Sequence, residues 1–246
     1  MPDYKHSTGF FFLEKTKLDR RKLFSGEREI ISPVPYVKTY PEAPRHPLPR
    51  PNFPPAELFE VLARRRSNRF YQRAPLTLEE LNLLLYASQG VTGRAGHYLL
   101  RTAPSAGALY PIETYLGINA VSGLPPGLYH LEVTGWVLEE LARGEFGPKL
   151  KEAALGQSMC ETAPVVFVWS AIPRRTMSKY GSRGMRYIFM DVAHICQNLL
   201  LAAEALGLSA CPIGAFFDEE INELLGLDGE EETVIYLATV GRPKMR

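Results

Sequence analysis

The chain has 246 residues, is 46% apolar and 22% charged, and carries a formal net charge of +1. That is enough for one sizeable core with extensions, and the near-zero charge excludes a global field that gathers nucleic acid or anionic membrane. The three cysteines, Cys160, Cys196 and Cys211, have no CxxC or CxxH spacing, which argues against both a disulfide framework and a zinc site and points to a reducing compartment.

Taken from the N-terminus, residues 1–54 read as a Pro-rich extended arm and 55–246 as the main domain. The FFFL run, Phe10 to Leu13, is too short for a secretory signal and charges follow it at once. Pro33 to Pro55 holds nine prolines in 23 residues, which removes amide donors and disfavours helix. Phe10–Phe12, Ile30, Ile31, Val34 and Tyr36 supply anchors that a free tail rarely carries. The arm is therefore expected to wrap its own core or a partner subunit. An amphipathic helix follows at 55–66, with Leu58, Phe59 and Leu62 on its apolar side.

Five arginines then fall within Arg64–Arg73, with Ser67 between Arg66 and Asn68. Guanidiniums bind phosphate oxygens in bidentate fashion and a Ser hydroxyl adds another bond. The run suits the terminal phosphate of a small cofactor; its alternative is a solvated basic helix end. Thr77 reads as the N-cap of a helix at 77–88, with Glu80 completing a capping box. Residues 86–100 read as a mobile entrance loop. Strands are predicted at 112–119, 127–133, 136–141, 164–171 and 233–240, with Thr134-Gly135 as a hairpin turn. Further helices are predicted at 147–155, 185–206 and 218–225, the last capped by Asp218.

The helix at 185–206 is apolar nearly all round, which predicts burial in a core or between subunits. Gly207 ends it as a C′ residue. Asp191, His194 and Asn198 lie on one face and need partners in an internal network or a ligand; His194 reads as a satisfied core histidine. With Gln197 and Glu204, these residues make the helix a poor membrane span. Hairpins replace βαβ units and two helices precede the first strand, so the class is α+β. No GxGxxG follows a strand, which argues against a Rossmann site.

Five segments, in order, resemble the nitroreductase-like flavoproteins. They are RRSNRFY (Arg65–Tyr71), RTAPSAGALYPIE (Arg101–Glu113), the run Lys179–Leu208, CPIGAF (Cys211–Phe216) and ATVGRP (Ala238–Pro243). The Lys179–Leu208 run is similar to the subgroup of SagB-type and thiazoline/oxazoline dehydrogenases. The resemblance spans Pro55 to Pro243. It implies a nitroreductase-like fold: a central, mostly antiparallel sheet flanked by helices, with the long helix at a homodimer interface beneath the flavin.

The same resemblance implies FMN as cofactor and no metal. It assigns phosphate and ribityl contacts to Arg65, Arg66, Ser67 and Arg69, with Gly241-Arg242 as a second phosphate clamp. Pro104, Ser105, Ala106 and Gly107 become a loop whose small residues admit the flavin ring; an ordinary loop is the alternative. Gln197 and Asn198 become network residues beside the cofactor. Pro212, Ile213, Gly214 and Ala215 form a turn offering a backbone N–H to flavin N5. Many relatives carry an acidic residue before a glycine there, and this chain has Gly214 then Ala215. Lys179-Tyr180 matches the pair that abstracts a proton in azoline-oxidising relatives; an exposed Lys beside a packing Tyr is the alternative.

The function implied is an FMN-dependent oxidoreductase passing hydride through flavin N5. It either oxidises azoline heterocycles in peptides or uses NAD(P)H to reduce small electrophiles. The alternative is a non-catalytic flavin-binding scaffold subunit of a peptide-modifying complex. A homodimer in the cytoplasm is expected, with a small-molecule or peptide substrate and neither nucleic acid nor membrane as partner.

Overall fold

The computed structural model describes residues 4–20, 31–96 and 98–244. In chain order the elements are α1 (Thr8–Lys15), β1 (Arg45–Pro47), α2 (Leu58–Arg64), α3 (Leu78–Gln89), β2 (Val91–Ala95), β3 (Tyr98–Arg101), β4 (Ile112–Ile118), β5 (Gly127–Glu132), β6 (Val137–Arg143), α4 (Gly147–Ala153) and α5 (Met159–Thr162). There follow β7 (Val165–Ala171), α6 (Pro173–Tyr180), α7 (Gly184–Ala205), β8 (Ser209–Ile213), α8 (Asp218–Leu225) and β9 (Thr233–Gly241).

Seven strands form one antiparallel sheet in the order β1-β6-β5-β4-β7-β9-β8, and β2-β3 make a separate hairpin. The class is α+β, as expected. Strands β4 and β7 sit at the centre and every residue of each is buried. Alternation then splits the core in two. Ile112, Leu116, Phe167 and Trp169 join α3 and α7 in one cluster, while Tyr115, Val166 and Val168 join α4, α5 and α8 in the other.

Local chemistry explains most element ends. Thr77 and Glu80 form the expected capping box on α3. Gly207 takes φ +69, and Gly207 N and Leu208 N donate to Glu204 O and Ala203 O, which closes α7 in a Schellman turn. Asp218 does not cap α8: Phe217 holds the cap position and Asp218 lies in the first turn with Glu219 and Glu220, where their charge complements the helix dipole. The β5–β6 turn spans four residues, because Glu132 accepts from the amides of both Thr134 and Gly135.

Two segments depart from the sequence expectation, and a third, after β7, had none. Residues 86–100 are the end of α3 followed by the β2–β3 hairpin, not a structureless loop. Residues 209–213 pair with β9 as an edge strand. The arginine-rich stretch after β7 is the helix α6. The run from residue 173 to 205 is long and apolar enough to span a membrane by composition, but it is broken at Gly181 (φ 55), and α7 packs its buried residues into the core.

The Pro-rich segment lies on the body. Its Lys38 reaches Tyr115 Oη (2.7 Å) and Glu232 (2.5 Å), its Tyr40 Oη meets Tyr115 Oη (3.0 Å), and β1 extends the sheet edge. The anchors Ile31 and Val34 are half-buried, Tyr36 is exposed, and Ile30 lies outside the described residues. Beneath this strap runs a buried ionic chain. Glu139 lies 2.9 Å from His130 Nδ1, His130 Nε2 lies 3.1 Å from Glu113, and Glu113 lies 2.5 Å from Arg175 Nη1. Arg175 also donates to Tyr110 O (3.1 Å) and to Pro35 O of the arm (2.8 Å). Burial alone would push the Glu113 carboxyl up, but the bond from His130 and the charge of Arg175 outweigh it and hold it at about 2.

Removing one partner of a buried pair leaves the other charge uncompensated. Glu113→Gln is expected to cost about 3 kcal/mol or more, read from the urea midpoint at neutral pH. Because folding lowers the Glu113 pKa, its stabilising contribution is present above pH 4.5, the ordinary carboxyl value, and is lost as pH falls toward 2. Stability of the variant should therefore fall less steeply than that of the parent across that window.

Candidate functional site

The candidate residues gather in two groups along α7. The first is built on the segment after α2. Ser67 bridges Ala210 of β8, and Asn68 N donates to Ala210 O (3.2 Å). Tyr71 bridges Pro243, its hydroxyl bonds Asn68 O (2.8 Å) and Thr239 Oγ1 (2.8 Å), and Gln72 N donates to Arg242 O (2.9 Å). The chain thus folds Arg65–Arg69 beside both β8 and Gly241-Arg242, which are distant in sequence. Gly241 allows this close pass: a Cβ there would lie 2.8 Å from the Tyr71 ring.

The arginines of this group are not equivalent. Among the described residues, the side chains of Arg65 and Arg69 have no carboxylate or hydrogen-bond partner. Arg66 turns its guanidinium onto the carbonyls of Ala63 (3.1 Å) and Arg65 (2.7 Å). Arg64 pairs with Glu60 and Glu204, both at 3.6 Å, in keeping with a surface role. Arg242 Nη2 lies 3.0 and 2.9 Å from the two oxygens of Glu80, so it is engaged by the same carboxylate that caps α3. Beyond β8, Gly214 and Ala215 are exposed, and Ala215 O accepts from Gln157 Nε2 at 3.0 Å.

The second group surrounds Pro104–Gly107. Ser105 Oγ donates to Asp191 Oδ2 (2.6 Å), Ala106 N donates to Asp191 Oδ1 (3.3 Å), and Tyr110 N donates to Ser105 Oγ (2.9 Å). Burial pushes the Asp191 carboxyl up, and the bonds from Ser105 and Ala106 oppose this. Gly107 has φ +66, a region that L side chains avoid. A Cβ built there would lie 2.8 Å from Tyr180 Oη and 2.9 Å from Lys179 Nζ. The end of α6 therefore lays both functional atoms of the Lys179-Tyr180 pair against this glycine. Tyr180 is further fixed edge-on to Tyr187, with ring centroids 5.0 Å apart. Lys179 itself is exposed, so this single chain does not desolvate it.

Helix α7 links the groups and differs from its expected all-round burial. Phe189 (48% exposed), Met190 (51%), Ala193, His194 and Gln197 form an open face. His194 is therefore not a core histidine; it stands exposed. Of the expected polar stripe, Asp191 and Asn198 are satisfied internally, Asn198 by donating to Ala87 O (3.0 Å). Gln197 points outward from the single chain. Phe59 (83% exposed) and Leu62 of α2, which packs on α7, leave further apolar surface uncovered.

Comparison with known proteins fixes the family. The family model "Nitroreductase family" matches residues 62–242. The chain belongs to the Nitroreductase family. MJ1384 of Methanocaldococcus jannaschii, assigned to the nitroreductases, is 40% identical over 192 residues, covering 78% of this chain and 94% of that one. The trifolitoxin-processing protein TfxB of Rhizobium leguminosarum bv. trifolii is 28% identical over 186 residues, covering 70% of this chain. A solved structure from Anabaena variabilis, also assigned to the nitroreductases, superposes with a TM-score of 0.76 at 28% identity and covers 95% of this chain. The chain spans about half of each of the last two, 50% of TfxB and 47% of the Anabaena protein. The resemblance read from the five segments, including its peptide-modifying branch, is thereby borne out.

Asp191 finds the internal partner that its place on the polar face called for, though nothing in the spacing named Ser105, 86 positions away. Nothing in the sequence set Arg175 apart from its neighbours Arg174, Arg183 and Arg186. Neither Cys211 nor the other thiols are poised for chemistry: burial pushes Cys160 and Cys196 up to about 12 and Cys211 upward as well. Iodoacetamide at pH 8 should alkylate none of the three in the folded protein and all of them in denaturant, scored by intact mass. Gly107→Ala should displace Lys179 and Tyr180 and cost about 1 kcal/mol or more from the positive φ alone, measured as a lowered urea midpoint.

Proposed function

We propose that this nitroreductase-family protein is an FMN-dependent oxidoreductase whose proton-handling pair is Lys179-Tyr180. The observation that carries the reading is the convergence of Lys179 Nζ and Tyr180 Oη on Gly107, in a loop pinned by Asp191. A residue without a side chain at that point leaves room for both groups to face a shared space.

The chain's residues fit the cofactor. Arg65 and Arg69 are cations without a carboxylate partner among the described residues, which suits a near-dianionic phosphate, and Ser67 offers a hydroxyl beside them. Arg66 would contribute by releasing two carbonyls, and Arg242 by exchanging Glu80 for phosphate. Gly214 and Ala215 are open enough to present a backbone amide. When bound, FMN supplies hydride acceptance and return at N5.

The protein's own task is to place and deprotonate the substrate. Lys179 Nζ takes a carbon-bound proton, as azoline oxidation requires, with Tyr180 Oη adjacent to share it. That role needs the exposed Lys179 to lose water when substrate or a second subunit covers it. The open faces of α7 and α2 favour a homodimer as the cover. The two residue groups contact α7 at Asp191 and near Glu204, about 20 Å apart at 1.5 Å rise per residue. A second copy lying along this face would complete the site. The similarity to TfxB, a trifolitoxin-processing protein, favours a peptide as substrate and the oxidative direction over reduction by NAD(P)H.

Arg65→Ala combined with Arg69→Ala is expected to lower FMN occupancy of the purified protein by about tenfold or more, as lost charge-assisted bonds imply, read from the visible spectrum. Lys179→Ala and Tyr180→Phe should keep the flavin spectrum yet slow oxidation of a thiazoline-containing peptide by about 10²-fold or more. Full turnover in both variants would remove the pair from the mechanism. A parent protein that binds FMN but turns over neither a thiazoline peptide nor NAD(P)H would leave the non-catalytic scaffold as the better account.

A further inference from the structure

Apart from those residues, an open cleft of about 490 Å³ lies between the arm, the β2–β3 hairpin and the β5–β6 turn. Its volume falls in the range of small-molecule sites, and none of the cofactor or proton-transfer candidates lines it. Its walls are aromatic. The Phe53 and Tyr86 rings lie 4.9 Å apart and the Tyr86 and Trp136 rings 5.8 Å apart, centroid to centroid.

Trp136 is held in this wall against its backbone preference. Its φ is +53, where a bulky residue is a genuine outlier that surrounding structure must enforce. The enforcement is visible: Trp136 Nε1 donates to Asn82 Oδ1 (2.9 Å), and Trp136 O accepts from Leu48 N (3.0 Å). Asn82 is in turn fixed by donating to Pro49 O of the arm (2.9 Å). The arm thus builds the cleft as well as covering the core.

The cleft also carries charge. Arg50 of the arm and Arg94 of β2 line it, both exposed, and among the described residues neither guanidinium has an ion pair or hydrogen bond. The buried Arg175, by contrast, is paired with Glu113. Two uncommitted planar cations beside fixed aromatic faces select a ligand that is flat, apolar across its body and anionic at its edge.

We propose that this cleft is a second ligand site, which binds a planar aromatic carboxylate with its ring against Tyr86 and Trp136 and its carboxylate on Arg50 and Arg94. The test is calorimetric titration of the full chain with 2-naphthoate, 2-naphthamide and cyclohexanecarboxylate. The naphthoate should bind with Kd below ~1 mM, equivalent to about −4 kcal/mol. The neutral amide and the non-aromatic acid should each bind about tenfold more weakly, as loss of the charge-assisted bonds or of the stacking face implies. Arg50→Gln combined with Arg94→Gln, two exposed positions, should reduce naphthoate affinity by the same factor while leaving the thermal midpoint unchanged. Equal affinity for acid and amide, no heat from naphthoate, or undiminished binding in the double variant would each overturn the assignment.

Discussion

The contact between Arg175 and Glu113 governs the placement of the Lys179-Tyr180 pair. Glu113 comes from the central strand β4 and Arg175 from the first turns of α6, and both are buried. Isolated, either charge would be prohibitive in such a place. Together with His130 and Glu139 they form a continuous chain of contacts across three adjacent strands. Because Arg175 also bonds Tyr110 O and Pro35 O, one guanidinium joins the sheet, the loop after Gly107, the arm and α6. Lys179 and Tyr180 lie one turn further along that helix, so their position is inherited from this buried pair.

Asp191 acts as a second fixed point, from the opposite side of the loop. Its carboxylate binds Ser105 Oγ and Ala106 N, so the loop is held from α7 while α6 is held from β4. Gly107 lies between, with a positive φ and no side chain, and α6 brings Lys179 Nζ and Tyr180 Oη to it. Preorganisation of this kind is what the proposed proton transfer would draw on. The arginine group is built differently. It rests on β-bridges to β8 and to the end of β9, and of its two uncommitted arginines Arg69 is exposed and Arg65 half-buried. The pair proposed for proton transfer is held rigidly, while the uncommitted cations suit the phosphate proposed for them.

The arm has two faces of activity in this fold. Its inner polar groups, Lys38 and Tyr40, close the network around Tyr115 and Glu232, where burial and the Glu232 charge drive the Tyr115 phenol pKa upward. Its later residues, Leu48 to Phe53, fix Trp136 and wall the aromatic cleft. On α2 and α7, Phe59, Phe189 and Met190 stand exposed.

Much of this was legible in the sequence because it is local. Thr77 and Glu80 sit three residues apart, so the capping box could be read directly, and Gly207 marked the end of α7 for the same reason. The strands β4 and β7 announced themselves as apolar β-rich runs, and five ordered segments carried the family. What failed was non-local. β8 contains Pro212 and lies on the sheet edge, so only its pairing with β9 makes it a strand. Burial of α7 was overestimated because composition gives a helix's average hydropathy and not which residues find neighbours. Asp218 lost its capping role to the geometry of Phe217. The sequence by itself determined the elements, their class and the residue types available for phosphate and proton chemistry, since these depend on neighbours a few positions apart. The tertiary structure alone decided that Asp191 meets Ser105, that Glu80 engages Arg242, and that Lys179 and Tyr180 meet over Gly107, because each contact joins segments whose separation along the chain carries no local signal.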